Sequence, residues 1–398
     1  PFSFQHLSLA GGVKAAAARD PSRLAYRHGE STRTYGALVD RIDRVSAAVV
    51  GDLGLGPGDH GAIVAKNSIE YAELVLGTAQ AGVALATINP KLSAREIGEI
   101  CADARARVLF VDADSAEALE GADTGPVERT IVIERDLEDW LSRANPGLSR
   151  PAVDEWETFT IPYTSGTTGR PKGVLVPNRS RAISILAMAV EYGCYSPDDR
   201  FLAIAPMCHG AGMVFALAPV FTGGYAEIMD SFDPEAVMRT LKAEHMTGFF
   251  GVPTHFSVIF SLERALLEAS RPEALRTIIS NAAPLPQAMK ETLIEFFGPG
   301  LLHETYGSTE AGIVTNLRPA DQLRKQQCVG QPIACTEVRI LDATGAPCEP
   351  DEVGELYSTS PYLFNGYWQR PEETESAFDG RWVTVGDLAR RDEEGHVY

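Results

Sequence analysis

Short apolar runs alternate with amphipathic segments through most of the chain. Apolar residues recur at helical spacing after the N-cap candidate Thr34, which predicts a helix with one apolar face formed by Tyr35, Leu38, Ile42, Val45 and Val49. Strands are predicted at 62–65, 83–88 and 107–111, with helices at 69–80 and from the capping box at 93–96. Such an alternation is typical of βα units around a mostly parallel sheet that is covered on both faces.

The alternation resumes in the second part of the chain and ends near Val329. Strands are predicted at 201–205, 225–229, 247–252 and 275–280, and helices at 213–221, 256–267 and 287–297. Beyond Val329, strands at 337–341, 354–358 and 382–385 are separated by Gly, Asp and Pro turns. The sequence therefore predicts an α/β fold with two stacked βα layers in residues 1–328 and a small antiparallel, barrel-like β region in 329–398.

A loop rich in glycine and hydroxyl residues lies at 163–173, with the sequence Tyr-Thr-Ser-Gly-Thr-Thr-Gly-Arg-Pro-Lys-Gly. A polar stretch at 134–157 precedes it and is interpreted as a linker, while apolar runs at 158–162 and 174–177 predict flanking strands. Its backbone N–H groups, hydroxyls and lysine could surround a phosphate chain. It lacks the Gly-Lys-Ser/Thr helix start of a Walker loop, and a flexible surface hairpin is the alternative interpretation.

Composition limits the classes of partner. The 398 residues carry 54 acidic and 35 basic side chains, a net charge of −19, which argues against a nucleic-acid or anionic-membrane partner. The six cysteines are scattered without metal-ligand spacing, which indicates a reducing, cytoplasmic setting. No apolar run is long enough to span a bilayer.

Four further stretches could carry chemistry. His209 follows a predicted strand, at the edge where α/β sheets present ligand-binding residues. Small residues at 280–286 would admit a flat ring, Glu310 in the segment 303–310 could hold magnesium, and Asp387 could accept two ribose hydroxyls. Each is also explained by an ordinary structural role, as a buried histidine, a turn, a polar cap and a Gly-Asp turn.

The loop at 163–173, Tyr-Gly-Ser-Thr-Glu at 306–310 and Gly-Asp-Leu at 386–388, in this order, resemble the adenylate-forming family. That family comprises acyl-CoA synthetases, peptide-synthetase adenylation domains and firefly-type luciferases. The resemblance implies that a carboxylate attacks the α-phosphate of ATP, giving acyl-adenylate and pyrophosphate, and that coenzyme A then displaces AMP. In-line displacement of this kind depends on positioning and charge neutralisation.

The resemblance also implies roles for individual residues. Catalytic roles fall to His209, Lys172, Thr309 and Glu310. Magnesium would be held by Thr167 and Glu310. Nucleotide contacts would come from Thr164, Ser165, Gly166, Thr167, Thr168, Gly169, Lys172, Asn281, Ala282, Ala283, Tyr306, Gly307, Thr309 and Asp387. The acid pocket would be lined by His209, Met213, Val214, Phe215, Phe250, Gly251, Asn281 and Gly307.

The uncharged stretch after His209 favours a mainly apolar carboxylic acid, so the expected function is an acyl-CoA synthetase that uses ATP, Mg²⁺ and coenzyme A. An adenylation enzyme serving a carrier protein is one alternative, although residues 206–224 contain no acidic residue to pair with an amino group. A nucleotide-binding protein without turnover is another. Family members continue into a C-terminal lid that is absent from these 398 residues, and we expect a longer enzyme. Homodimerisation is left open.

Overall fold

The computed structural model describes residues 6–148, 152–164 and 171–398. Helices in this part of the chain are α1 Leu9–Arg19, α2 Tyr35–Gly51, α3 Ile69–Ala81, α4 Ala94–Asp103, α5 Ala113–Ala118, α6 Ile133–Ser142, α7 Asn178–Tyr192, α8 Gly210–Thr222, α9 Pro234–Ala243, α10 Pro253–Ile259, α11 Arg264–Ala269, α12 Gln287–Phe297 and α13 Pro371–Ala377. The strands are β1 Leu24–His28, β2 Ser31–Thr34, β3 His60–Val64, β4 Ala84–Ile88, β5 Val108–Val111, β6 Arg129–Val132, β7 Thr158–Thr164, β8 Lys172–Gly173, β9 Val176–Pro177, β10 Arg200–Ala203, β11 Tyr225–Ile228, β12 Gly248–Gly251, β13 Thr277–Ser280, β14 Leu302–Ser308, β15 Gly312–Leu317, β16 Gln331–Pro332, β17 Glu337–Leu341, β18 Gly354–Thr359, β19 Phe378–Asp379, β20 Trp382–Val383 and β21 Leu388–Ala389.

A seven-stranded sheet is built from the first part of the chain. Its order is β6-β5-β3-β4-β7-β8, with β9 also paired to β7, and the pairings from β6 to β7 are parallel. All residues of β3 and β4 are buried, as expected for strands covered on both faces. Helix α3 connects these two strands; Ser68 is its N-cap and Gly82 its C-cap, and the φ of 79° at Gly82 is accessible to glycine.

A nine-stranded sheet contains most of the second part of the chain. Its order is β16-β15-β14-β13-β12-β10-β11-β1-β2, and β1 lies parallel to β11 with Tyr26 opposite Ala226. The N-terminal hairpin β1–β2 thus belongs to the second sheet, which the sequence pattern had not indicated. Helices α2, α3 and α8 contribute buried residues to one core cluster that joins the two layers. The predicted two-layer α/β class is confirmed.

The C-terminal strands form a small antiparallel sheet in the order β17-β18-β20-β19, with β21 also paired to β18. Among the described residues this sheet ends at β17 and β19, so it is open, unlike the barrel-like region that was expected. Strand β16, at the start of the predicted C-terminal region, extends the nine-stranded sheet instead.

Two local predictions were wrong. The stretch 134–157 is not a linker throughout, because α6 occupies Ile133–Ser142 and buries Leu137 and Trp140. Its apolar residues recur at helical spacing, but the acidic residues between them concealed the pattern. The single helix predicted at 256–267 is divided into α10 and α11. In the described ranges, no helix is long and apolar enough to cross a membrane.

Candidate active site

The loop predicted to bind phosphate is held at the end of an antiparallel hairpin. Strand β7 pairs with β8, with Tyr163 opposite Gly173 and Thr164 opposite Lys172, so the predicted flanking strands are confirmed. A Cβ atom at Gly173 would lie 2.8 Å from Cγ2 of Ile161, which explains a glycine here. The predicted phosphate contacts Ser165, Gly166, Thr167, Thr168 and Gly169 lie outside the described residues.

Tyr367 connects the predicted phosphate-binding lysine with the predicted metal ligand. Its hydroxyl donates to Oε1 of Glu310 at 2.9 Å, and Nζ of Lys172 lies 5.3 Å from the centre of its ring. A carboxylate has about four acceptor sites, so Glu310 keeps acceptor capacity for a cation. Among the described residues no cluster of three or more His, Cys, Asp or Glu could hold a metal. Magnesium, however, is commonly held by one or two carboxylates plus substrate phosphates, which fits Glu310.

A cavity of about 420 Å³, here called the nucleotide-side cavity, lies between the end of β13 and the C-terminal sheet. Six predicted nucleotide contacts line it: Asn281, Ala282, Ala283, Tyr306, Gly307 and Asp387. The hydroxyl of Tyr306 donates to Oδ2 of Asp387 at 2.6 Å. Residues that are 81 positions apart in the chain are therefore in direct contact at one cavity wall.

The turn after β13 is tightly fixed. The side-chain nitrogen of Asn281 donates to Oγ1 of Thr305 at 2.7 Å, and its amide oxygen accepts from the backbone N–H of Ala282. Ala282 has a φ of 74°, in the left-handed region that residues with a Cβ atom rarely adopt. Strained backbone of this kind is concentrated at functional sites in proteins.

A second cavity of about 290 Å³, here called the acid-side cavity, adjoins the first. The two cavities share Asn281, Ala282 and Gly307 as lining residues. Thr164, His209, Val214 and Thr309 also line the second cavity, while Met213 and Val214 line a narrow extension of about 10 Å³. The sequence therefore predicted residues from five separate segments that the fold brings to one place.

Three residues that were predicted to line the acid pocket lie outside both cavities. The rings of Phe215 and Phe250 stack on each other with centroids 4.1 Å apart, and both are almost fully buried in the core. Gly251 faces the ring of Phe256, since a Cβ atom there would lie 2.8 Å from that ring. Neither cavity is lined by these three residues.

His209 is the N-cap of α8, and its side chain makes no capping hydrogen bond. Partial desolvation lowers the pKa of its ring, so His209 is neutral at pH 7. A Cβ atom at the next residue, Gly210, would lie 3.7 Å from Oγ1 of Thr309. The start of α8 and Thr309 are therefore close neighbours in the wall of the acid-side cavity.

Gly307 separates the two cavities at a bulge in β14. The strand register shifts between Tyr306 and Gly307, and a Cβ atom at Gly307 would lie 2.1 Å from the backbone oxygen of Gly312. Because that contact is with backbone, only glycine fits without a shift of β15.

Two residues at the site were missed by the sequence analysis. Tyr367 follows Asn365-Gly366, an ordinary turn signal that gives no reason to expect a link to Glu310. Arg181 lies on α7 and lines the acid-side cavity. Burial lowers the pKa of its guanidinium to about 10, so the group is charged at neutral pH. Nothing in the local sequence distinguishes Arg181 from the surface arginines.

Comparison with known proteins agrees with this architecture. The family described as "AMP-binding enzyme" matches residues 13–368. A feruloyl-CoA synthase of an Amycolatopsis species is 31% identical over 95% of this chain and 75% of its own length. A 2-succinylbenzoate–CoA ligase of Geobacillus kaustophilus is 30% identical over 97% of this chain and 76% of its own. The N-terminal domain of FACL13 from Mycobacterium tuberculosis superposes with a TM-score of 0.90 at 26% identity, covering 98% and 99% of the two chains.

The fold and the paired cavities thus define an α/β protein of the adenylate-forming class. The chain belongs to the AMP-binding enzyme family. It spans about three quarters of the length of these two relatives, which are named as enzymes that join an acid to coenzyme A.

Proposed function

We propose that this protein is an ATP-dependent acyl-CoA synthetase that activates a small carboxylic acid as its adenylate and transfers the acyl group to coenzyme A. One observation carries the proposal: the nucleotide-side and acid-side cavities meet at Asn281, Ala282 and Gly307. An acid bound on one side would therefore face the α-phosphate of a nucleotide bound on the other.

On the nucleotide side, Asp387 would accept the ribose hydroxyls and Tyr306 would stack on the adenine. The contact between these two residues supports this assignment, because it places a carboxylate at the edge of an aromatic face. Asn281, Ala282 and Ala283 would border the adenine. Thr164, Lys172 and the loop between them would cradle the β- and γ-phosphates, with Lys172 kept near Glu310 by Tyr367.

Where the cavities meet, Thr309 would contact the α-phosphate and Glu310 would hold Mg²⁺, helped by Thr167. The metal would supply positive charge that offsets the charge of the phosphates. The carboxylate oxygen attacks the α-phosphorus, the bond to the bridging oxygen breaks, and pyrophosphate leaves. His209 would lie beside the reacting carboxyl group, where its neutral ring could accept a hydrogen bond from the incoming thiol of coenzyme A.

The names of the relatives support coenzyme A as the acceptor, since feruloyl-CoA synthase and 2-succinylbenzoate–CoA ligase each form an acyl-CoA. A carrier protein is the competing acceptor. The six free cysteines agree with a reducing compartment, and we place the reaction in the cytoplasm.

The test is pyrophosphate release by the full-length protein with ATP, Mg²⁺ and a panel of aliphatic and aryl acids. We expect acid-dependent release, followed by AMP and acyl-CoA when coenzyme A is added. Release of pyrophosphate that no carboxylic acid stimulates would contradict the proposal. Strong stimulation by amino acids, with no acyl-CoA formed, would instead identify an adenylation enzyme serving a carrier protein.

A further inference from the structure

Arg181 is a buried cation in the wall of the acid-side cavity. The residue is 8% exposed, and its Nη2 donates to the backbone oxygen of Thr309 at 3.1 Å. Within the described ranges, no carboxylate oxygen comes within the 4.0 Å that defines an ion pair with this guanidinium. A guanidinium has five N–H donors, so one backbone bond leaves most of its donor capacity for another partner.

The surroundings of the guanidinium keep it accessible from the cavity. A Cβ atom at Gly210 would lie 3.9 Å from Nη2, and a Cβ atom at Gly312 would lie 3.6 Å from Nη1 and 3.7 Å from Oγ of Ser184. Both glycines therefore lie beside the guanidinium and line the same cavity. The hydroxyl of Ser184, one turn further along α7, lies on the same wall.

A purely structural role does not account for this arrangement. Burial of a charge is unfavourable unless it is paired, and a single bond to a backbone oxygen does not require a cation. Glu310 is the carboxylate whose field acts on Arg181, but the proposed function assigns that carboxylate to Mg²⁺. An anionic group of the ligand is the partner that this position lacks.

Arg181 lines the acid-side cavity and is not among the residues that line the nucleotide-side cavity, so the anionic group that it would bind belongs to the acid. The same side chain also borders the narrow extension, whose other walls include Leu9, Met213 and Leu217. The reacting carboxyl group belongs where the two cavities meet, at Asn281, Ala282 and Gly307. At about 290 Å³, the cavity is at the small end of ligand sites, which span about 300–1,000 Å³.

We propose that the acid is a compact dicarboxylic acid, activated at one carboxyl group while Arg181 holds the other. The inference rests on the proposed function, and it replaces the mainly apolar acid that the sequence favoured. Only the first carboxylate changes its bonds, by attack on the α-phosphorus with loss of pyrophosphate. The second remains ionised and pairs with the guanidinium.

The experiment uses matched pairs of acids and of stable adenylate analogues. Hexanoate is compared with adipate, and 3-phenylpropanoate with 3-(4-carboxyphenyl)propanoate, in pyrophosphate release by the full-length protein. The corresponding acyl-sulfamoyl adenosines are compared by calorimetric titration, which requires no turnover. Only the diacid can make a charge-assisted hydrogen bond to Arg181. In at least one of the two pairs, we therefore expect the KM of the diacid and the Kd of its analogue to be at least about tenfold lower than those of the monoacid partner.

Arg181→Met should abolish that preference, so that the KM and Kd of the diacid approach those of its monoacid partner in the same variant. Arg181→Lys keeps the charge and should retain part of the preference. The matched control is Arg264→Met, which removes an arginine whose side chain is 85% exposed and should change nothing. Thermal unfolding of each variant verifies that it is folded.

The outcomes separate this inference from the proposed function. Equal binding of the paired analogues, or equal losses for both acids in Arg181→Met, would overturn the dicarboxylic acid while leaving the synthetase intact. Preferential binding of a diacid analogue without any pyrophosphate release would overturn the synthetase and support the assignment of Arg181. Failure to bind any analogue would overturn both.

Discussion

Two buried cations, Lys290 and Arg181, lie beside the two cavities in opposite circumstances. Lys290 on α12 forms an ion pair with Glu304, and both side chains are at most 4% exposed. Glu304 lines the nucleotide-side cavity and accepts a hydrogen bond from the backbone N–H of Leu285 at 2.8 Å. Arg181 on α7 has a backbone oxygen as its hydrogen-bond acceptor and no carboxylate in ion-pair contact within the described residues.

The difference separates structural charge from charge that is kept for a ligand. The charges of Lys290 and Glu304 neutralise each other, and Glu304 also holds the backbone of Leu285 after the nucleotide contacts. Arg181 has no such ion-pair partner among the described residues, and in the proposed complex the second carboxylate of the acid supplies one. Sites that bind anions commonly carry such an unpaired charge in the free protein, because the stabilising partner arrives with the substrate.

The comparison is tested most strongly by removing each cation. Lys290→Met would leave the buried carboxylate of Glu304 unpaired, and we expect a loss of about 3–5 kcal/mol in the free energy of unfolding. Arg181→Met removes an unpaired buried charge and should be neutral or stabilising. Urea unfolding of the two variants measures both values. A similar loss in the two would show that Arg181 is as structural as Lys290.

The buried residue His303, which precedes Glu304 in the chain, provides a test based on pH. Burial lowers the pKa of His303 to about 4, from an ordinary value of 6.5. Above pH 6.5 neither state binds the proton; between pH 6.5 and 4 the unfolded chain binds it and the native protein does not. Stability should therefore fall with decreasing pH, by about 3 kcal/mol in total from this residue.

His303→Gln should flatten the stability profile between pH 6.5 and 4, as followed by urea unfolding at each pH. Arg181→Met should leave that slope unchanged, because its guanidinium stays charged over the whole window. An unchanged slope in His303→Gln would contradict the assignment of the acid-sensitive step to this residue.

The assignment of the two cavities is sharpened by Asp387→Asn. Loss of the carboxylate weakens hydrogen bonds to the ribose, and we expect the Kd for ATP to rise about 10- to 100-fold. The KM for the acid should change little in Asp387→Asn. In Arg181→Met, by contrast, the KM for the diacid should rise while the Kd for ATP changes little. Steady-state kinetics with ATP and acid varied separately distinguish the two. If Asp387→Asn raised only the KM for the acid, the acid and the nucleotide would have to be assigned to the opposite cavities.

The smallest expected effect concerns the wall that both cavities share. Ala282→Gly removes the Cβ atom from a left-handed backbone position and should stabilise the protein by about 1 kcal/mol. The neighbouring Ala283→Gly is the matched control, since Ala283 is not among the described residues with positive φ. Thermal unfolding that gave the same shift for both would argue against strain at Ala282.

Much of this organisation could be read from local patterns. Strands that are buried throughout, such as β3 and β4, and the helix α12, with its predicted bounds, are specified by apolar runs and periodicities within one segment. The site residues near Tyr306 and Asp387 were found because their motifs resemble those of a known family. The predicted roles of the phosphate loop remain predictions, because Ser165 to Gly169 lie outside the described residues.

Long-range placement could not be read in this way. Arg181 lies in a helix whose sequence does not show which face meets a cavity, and its importance depends on Gly210 and Gly312 from other elements. Tyr367 gains its role by reaching Glu310, 57 residues away. Phe215 and Phe250 satisfy the apolar pattern of a pocket, but they stack on each other instead. Such choices are decided by tertiary packing.

The N-terminal hairpin has a consequence for how the protein is made. Tyr26 in β1 is paired with Ala226 in β11, so at roughly 5–20 residues per second the ribosome needs on the order of 10–40 s between them. During that interval β11, the strand with which the hairpin pairs, has not yet been synthesised. Tyr26 and Tyr35 are buried in the folded protein, but at this stage the rest of the nine-stranded sheet is not there to cover them. Translation speed and chaperone access to the nascent chain are therefore part of the biology of this fold.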